Sequence, residues 1–73
     1  MKSLVELYRG ERSVVTKIND RGILNKRLRD IGIYPGVEII MVKSAPLGDP
    51  LEIKVNDNSI SLRIKEADKI EVE

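Results

Sequence analysis

The stretch Leu51-Glu-Ile-Lys-Val-Asn-Asp-Asn-Ser-Ile-Ser-Leu-Arg-Ile64 decides the fold. Leu51, Ile53 and Val55 alternate with Glu52, Lys54 and Asn56, and Ile60, Leu62 and Ile64 alternate with Ser59, Ser61 and Arg63. Side chains along a strand point to opposite faces with period two, so each run reads as a half-buried strand. A turn at Asp57-Asn58 joins the two runs into a hairpin. Pairing across that turn sets Val55 against Ile60, Ile53 against Leu62 and Leu51 against Ile64, with one face aliphatic and the other polar.

The hairpin is entered from Lys43-Ser-Ala-Pro-Leu-Gly-Asp-Pro50. Pro46 and Pro50 fix their own φ and push Ala45 and Asp49 toward extended conformations, while Gly48 leaves one position free for a tight reversal. Leu47 is expected near the tip. A stiff loop that holds an apolar side chain loses little entropy when a partner covers it, so Pro46, Leu47, Asp49 and Pro50 are candidate partner-binding residues. The competing reading is a plain hairpin connection.

Upstream of the loop, Tyr34-Pro-Gly-Val37 has Pro and Gly where a type II turn needs them and delivers the chain into a strand from Val37 to Val42. Before it, Gly22 to Ile31 shows helical spacing, with Asn19 and Asp20 as N-cap candidates and Gly32 just past the C-terminus. Ile23, Leu24, Leu28 and Ile31 share one arc of this helix, which is expected to face the core, while Asn25, Lys26 and Arg29 point away. Arg27 projects from inside that arc. Its stem is expected to pack on the core while the guanidinium reaches a carboxylate or carbonyls at the edge, with partner recognition as the alternative.

Arg12 to Ile18, rich in Val and Thr, reads as the first strand, although the adjacent Val14 and Val15 break strict alternation. Ser3 and Glu6 have capping-box spacing before Leu7, which predicts one short helical turn ending near Gly10. Lys65 to Asp68 reads as a turn or single helical turn, and Ile70 and Val72 give a last strand. Residues 1–73 thus make one mainly β domain of about five strands, curled into a small barrel, with one α-helix between the first two strands.

Composition narrows the function. With 73 residues the chain has no room for a second core. A domain of that size buries only about 60% of its unfolded surface. Charged residues make up 34% and hydrophobic ones 41%, a globular balance. The 13 Lys and Arg against 12 Asp and Glu leave a net charge of +1, and the only aromatics are Tyr8 and Tyr34. Nucleic-acid binding needs a basic field and stacking platforms, so a small nucleic-acid-binding barrel is disfavoured. Cys and His are absent, which removes thiolate and imidazole chemistry, disulfides and the usual zinc sites. Asp49 with Glu52, or Glu71 with Glu73, offers at most a weak hard-cation site, and no metal or cofactor site is assigned. No nucleophile and base pair or phosphate-cradling glycine loop is present, so no catalytic residue is assigned and an enzyme is not expected. The charged N-terminal residues do not make a signal peptide, and Ile39 to Val42, the longest apolar run, is far too short to span a bilayer. A cytoplasmic protein is expected.

Lys26-Arg-Leu-Arg-Asp-Ile-Gly-Ile-Tyr-Pro-Gly36, followed by Ala45-Pro-Leu-Gly-Asp-Pro50, Leu62-Arg63, Glu66-Ala67 and Ile70-Glu-Val72, resembles the FeoA family of ferrous iron transport proteins over nearly the whole chain. Lys26 stands where an arginine is common in that family, Asp30 where Glu is usual, and Asp57-Asn58 at a turn that often contains Gly. The resemblance implies an SH3-like β-barrel and a cytosolic accessory role beside FeoB, the membrane protein that imports ferrous iron and carries a cytosolic GTPase domain. Contact with the membrane would be only indirect, through the transporter. A similar domain closes metal-dependent transcriptional repressors, so a regulatory domain acting on such a repressor is the alternative. A lone chain of 73 residues fits the transport accessory better.

On this reading Leu47 anchors a protein contact, Tyr34 beside the Pro-Gly turn adds an amphipathic surface, and Arg29 and Arg63 pair with acidic groups of the transporter. One of the two arginines entering the GTPase site in trans is a sharper version. Tyr34 bracing its own turn, and both arginines being merely solvated, are the plainer alternatives. Edge strands of an incompletely closed barrel leave room for a weak homo-oligomer.

Overall fold

The computed structural model describes residues 2–44 and 49–73. Alternating aliphatic runs become strands here because each buries one row of side chains. The elements follow in the order β1 (Lys2–Ser3), a 3₁₀ turn (Leu4–Glu6), β2 (Arg12–Ile18), α1 (Ile23–Asp30), β3 (Glu38–Ser44), β4 (Leu51–Val55), β5 (Asn58–Leu62), α2 (Ile64–Ala67) and β6 (Ile70–Val72). The strands form one antiparallel sheet in the order β1-β6-β2-β3-β4-β5. The described residues hold six strands rather than five. The additional one, β1, is two residues long and pairs Lys2 with Val72 and Ser3 with Glu71. Two residues are too few to display a period, which is why it escaped a pattern reading.

Two bulges bend the sheet. Between β2 and β6 the register shifts between Val15 and Lys17, and between β3 and β4 it shifts between Met41 and Lys43. An extra residue flips the in/out phase, so Val15 and Ile18 both reach the core although they are three apart, and the broken alternation at Val14 and Val15 has its explanation. Leu4 and Ile70 join Ile39, Ile53 and Leu62 in an aliphatic core, and no polar or charged residue is buried among the described residues.

The hairpin faces are as expected, with Leu51, Ile53, Val55 and Leu62 buried, but the register differs by two. Leu51 pairs with Leu62, Ile53 with Ile60 and Val55 with Asn58, so the turn is Asn56-Asp57 rather than Asp57-Asn58. Both turn residues have positive φ, 49° and 69°. Asn and Asp tolerate that left-handed region best among non-glycine residues, and two such residues in succession make the tight loop whose twist matches the strands. Moving the turn back by one residue pairs Leu51 with Leu62 and leaves Ile64 outside the hairpin, where it starts α2.

Helix α1 also departs from its wheel. Leu28 is buried and Leu24 packs partly on the core, whereas Ile23 is 83% and Ile31 45% exposed. Neither isoleucine joins the core. At the helix end Gly32, at φ 98°, reverses the chain. The Gly32 N–H donates to the Arg29 carbonyl at 3.1 Å, and the Ile33 N–H donates to the Leu28 carbonyl at 2.7 Å. Beyond that reversal Ile33 is fully buried. At the start of α1 no side chain caps from Gly22 itself. Asp20 caps from two residues upstream, its carboxylate accepting the N–H groups of Gly22 and Asn25, each at 3.0 Å. The Tyr34-Pro35-Gly36-Val37 turn is as expected. Gly36 lies at φ 101°, and the Val37 N–H donates to the Tyr34 carbonyl at 3.2 Å.

Candidate functional site

Helix α2 is the hub that ties together the elements carrying the candidate residues. The N–H groups at its start have no partner inside the helix, and carboxylates supply two of the partners. Glu66 reaches back so that Oε1 accepts the Arg63 N–H at 3.1 Å. Asp49, arriving from the β3–β4 connection, accepts the Ile64 N–H on Oδ1, also at 3.1 Å. Asp49 and Arg63, fourteen positions apart in sequence, are thereby held beside one junction. Pro50, Asp49 and Arg63 are all exposed there.

The second carboxylate oxygen of Glu66 faces the other way. Its Oε2 lies 3.2 Å from a terminal nitrogen of Arg27, which reaches across from α1. Arg27 therefore does what its position inside the apolar arc suggested, its guanidinium meeting a carboxylate at the rim of the core. Asp49 on the Ile64 N–H, and Glu66 on the neighbouring Arg63 N–H and on Arg27, link the loop end through the start of α2 to α1. The exposed Ile64 lies on the same junction, while Ile23 and Ile31 flank Arg27 one helical turn to either side. These apolar positions, and Glu66 with its two contacts, were not among the sequence-derived candidates; the four-residue spacing of Ile23, Arg27 and Ile31 was a signal for the helix positions, and Glu66 stood in a motif of the family resemblance.

The remaining candidates sit elsewhere. Two residues along a helix turn the side-chain direction by roughly 200°, so Arg29 projects away from Arg27. Its Nε donates to the Asn25 side-chain carbonyl at 2.8 Å. Tyr34 is 43% exposed in the turn after α1. No hydrogen bond or ion pair among the described residues joins Arg29 or Tyr34 to Arg63. Pro46 and Leu47, the proposed apolar anchor with its neighbour, lie outside the described residues.

One carboxyl group away from this junction in sequence is held below its usual range. Glu11 accepts the Tyr8 backbone N–H at 2.9 Å and pairs with the Lys2 ammonium at 2.9 Å, and both contacts favour its ionised form. Among the described residues no three His, Cys, Asp or Glu side chains converge to hold a metal ion, and no helix is long and apolar enough to cross a membrane. The arrangement offers exposed apolar side chains, an arginine and a carboxylate on backbone pinned by hydrogen bonds, which is the makeup of a protein contact.

Comparison with known proteins agrees with the sequence resemblance. The family model for the FeoA domain matches residues 2–73. The Fe(2+) transport protein A/Fe(2+) transporter FeoB fusion protein of Porphyromonas gingivalis is 40% identical over 70 residues, which cover 96% of this chain and 8% of that protein. The chain therefore spans under a tenth of this relative. The solution structure of iron(II) transport protein A from Clostridium thermocellum superposes with a TM-score of 0.93 at 41% identity, covering 97% of this chain and 44% of that one. The zinc-complexed FeoA of Stenotrophomonas maltophilia, described as a prokaryotic SH3 domain protein, superposes with a TM-score of 0.88 at 32% identity, covering 100% and 91%. The small bent sheet with its inserted helix is thus an SH3-like fold.

Proposed function

Because this chain belongs to the FeoA family, associated with ferrous iron transport, we propose that it is an accessory module that docks on the cytosolic, GTPase-containing part of an FeoB-type transporter. The observation that supports this reading is the Porphyromonas gingivalis relative, in which transport protein A and FeoB are one fusion protein. Fusion holds two domains at high effective concentration, so a contact between them needs little intrinsic affinity.

The contact is built on the junction of the loop end with α2. Asp49 and Pro50 set the direction of the loop, Arg63 supplies a cation for an acidic group of the transporter, and Leu47 with Pro46 supplies the apolar centre. Tyr34 and Arg29, at the far end of α1, form a separate flank of the same contact. Because Asp49 is pinned to the Ile64 N–H, the loop end does not have to be ordered at the moment of binding, and less entropy is lost. The protein acts at the cytoplasmic face and uses no catalytic group of its own.

Binding of the full chain to detergent-solubilised transporter tests this. Leu47→Asp and Arg63→Asp are expected to weaken binding tenfold or more, or about 1.4 kcal/mol, with unchanged circular dichroism and melting curves. Equal binding by both variants would place the contact elsewhere.

A further inference from the structure

The two edges of the sheet are treated very differently. At one, β1 is two residues long and carries Lys2, whose ammonium is paired with Glu11, so the edge is short and charged. At the other, β5 runs Asn58-Ser-Ile-Ser-Leu62, with neither a charge nor a proline in five residues. Such an edge is a template for another strand unless something blunts it.

The hydrogen-bond phase of that edge follows from the register. With a two-residue loop, Val55 and Asn58 exchange both backbone bonds, and the pattern alternates from there. Asn58, Ile60 and Leu62 therefore turn their N–H and C=O groups toward β4, and Ser59 and Ser61 turn theirs outward. Outside the β4–β5 ladder, no backbone hydrogen bond to Ser59 or Ser61 occurs among the described residues. Both serines are exposed, and Ile60, which packs on the core, remains only half-buried at the rim.

We propose that the β5 edge pairs antiparallel with the β5 edge of a second copy of this chain, about a two-fold axis at Ile60. The occupant is set by self-complementarity. In the register centred on Ile60, Ser59 lies opposite the second copy's Ser61, which is the pairing that lets the outward N–H and C=O groups satisfy one another, four bonds in all. Ile60 meets Ile60 in a non-hydrogen-bonded pair, where side chains come closest, and the half-exposed face of each is covered. One step beyond the strand, Arg63 comes opposite Asp57 of the other copy, and by symmetry this happens twice. Shifting the register by two in either direction keeps the phase but leaves fewer residues paired and loses the Arg63 and Asp57 match. The pairing buries little apolar area, so it is a weak association that forms in the millimolar range. Arg63 belongs to both this edge and the proposed transporter contact, where the two surfaces meet.

The test uses the full chain alone. Sedimentation equilibrium over a concentration series is expected to move from monomer to dimer mass. Ser61→Pro removes one outward N–H and none that faces β4, so it is expected to hold the chain monomeric while its circular dichroism spectrum stays as in the wild type. The wild type has no cysteine, so a second experiment reads the register directly. Under mild oxidation Ile60→Cys is expected to form a covalent dimer, because the paired positions lie within disulfide reach, whereas Asn58→Cys, which faces Leu62, is expected to stay monomeric. A wild type that remains monomeric through the millimolar range would overturn the proposal. So would a dimer that survives Ser61→Pro, or cross-linking at position 58 and not at 60.

Discussion

The Arg27 guanidinium lies 3.2 Å from Glu66, and that contact is the bridge between α1 and α2. Glu66 spends its other oxygen on the Arg63 N–H, so a single half-buried carboxylate holds the start of α2 and the flank of α1 together. The Arg27 side chain itself is 64% exposed. An exposed ion pair contributes little.

Replacing the two partners should therefore have unequal effects. Arg27→Ala is expected to cost about 0.5 kcal/mol, the scale of an exposed pair, while Glu66→Ala loses the cap as well and costs about 1 to 2 kcal/mol. Urea unfolding of both single variants and the double variant checks this. Equal costs would mean that Glu66 contributes only through Arg27.

The hairpin turn gives a sharper backbone test. Asp57 sits at φ 69°. A β-branched residue adopts that conformation only under strain. Asp57→Val is expected to destabilise by about 1 to 3 kcal/mol and Asp57→Gly to be neutral or stabilising, measured by thermal unfolding. If Val were tolerated as well as Gly, Asp57 would not hold the left-handed conformation on which the Val55–Asn58 pairing rests.

Ile53 and Ile23 are chemically identical and energetically opposite. Ile53 is fully buried on β4, whereas Ile23 faces solvent. Ile53→Ala is expected to cost about 2 to 5 kcal/mol. Ile23→Ala is expected to change stability by no more than about 0.5 kcal/mol. Chemical denaturation separates the two at once.

Acid should loosen the attachment of β1. The Glu11 carboxyl is held below its ordinary value of 4.5, first by the Tyr8 N–H and then by Lys2. A carboxyl depressed in the folded state adds stability above its unfolded value and loses it as pH falls through the folded one. The Glu11→Gln variant is therefore expected to be less stable than wild type at pH 6, with the gap closing as pH falls below 4.5. A gap that stayed constant down to pH 3 would show that the depressed ionisation adds nothing.

Much of this architecture can be read from residue type. The strands from Arg12 to Ile18 and from Leu51 to Val55, the Tyr34 to Val37 turn and the Gly32 reversal each rest on a local rule that the surrounding structure reinforces. The failures have equally physical causes. Alternation in Leu51 to Ile64 identifies which side chains share a face but is blind to a register slip of two, which preserves every face; only the left-handed backbone at Asn56 and Asp57 decides the pairing. A helical wheel treats Ile23 and Ile31 as equals of Leu28, but burial depends on what the helix lies against, and of these three only Leu28 is buried. The contacts of Asp49 with Ile64 and of Arg27 with Glu66 join residues distant in sequence, and no spacing rule reaches that far. The sequence resemblance supplied the family on its own motifs, which the match over residues 2–73 bears out.

The most direct test of the central claim is a titration of the labelled full chain into the full-length transporter and into its isolated GTPase-containing part, each with a GTP analogue, with GDP and without nucleotide. Saturable binding to both, weakened by Arg63→Asp, is the predicted result, and a dependence on nucleotide would identify a module that reads the switch state. Absence of binding to either form under all three conditions would contradict the account.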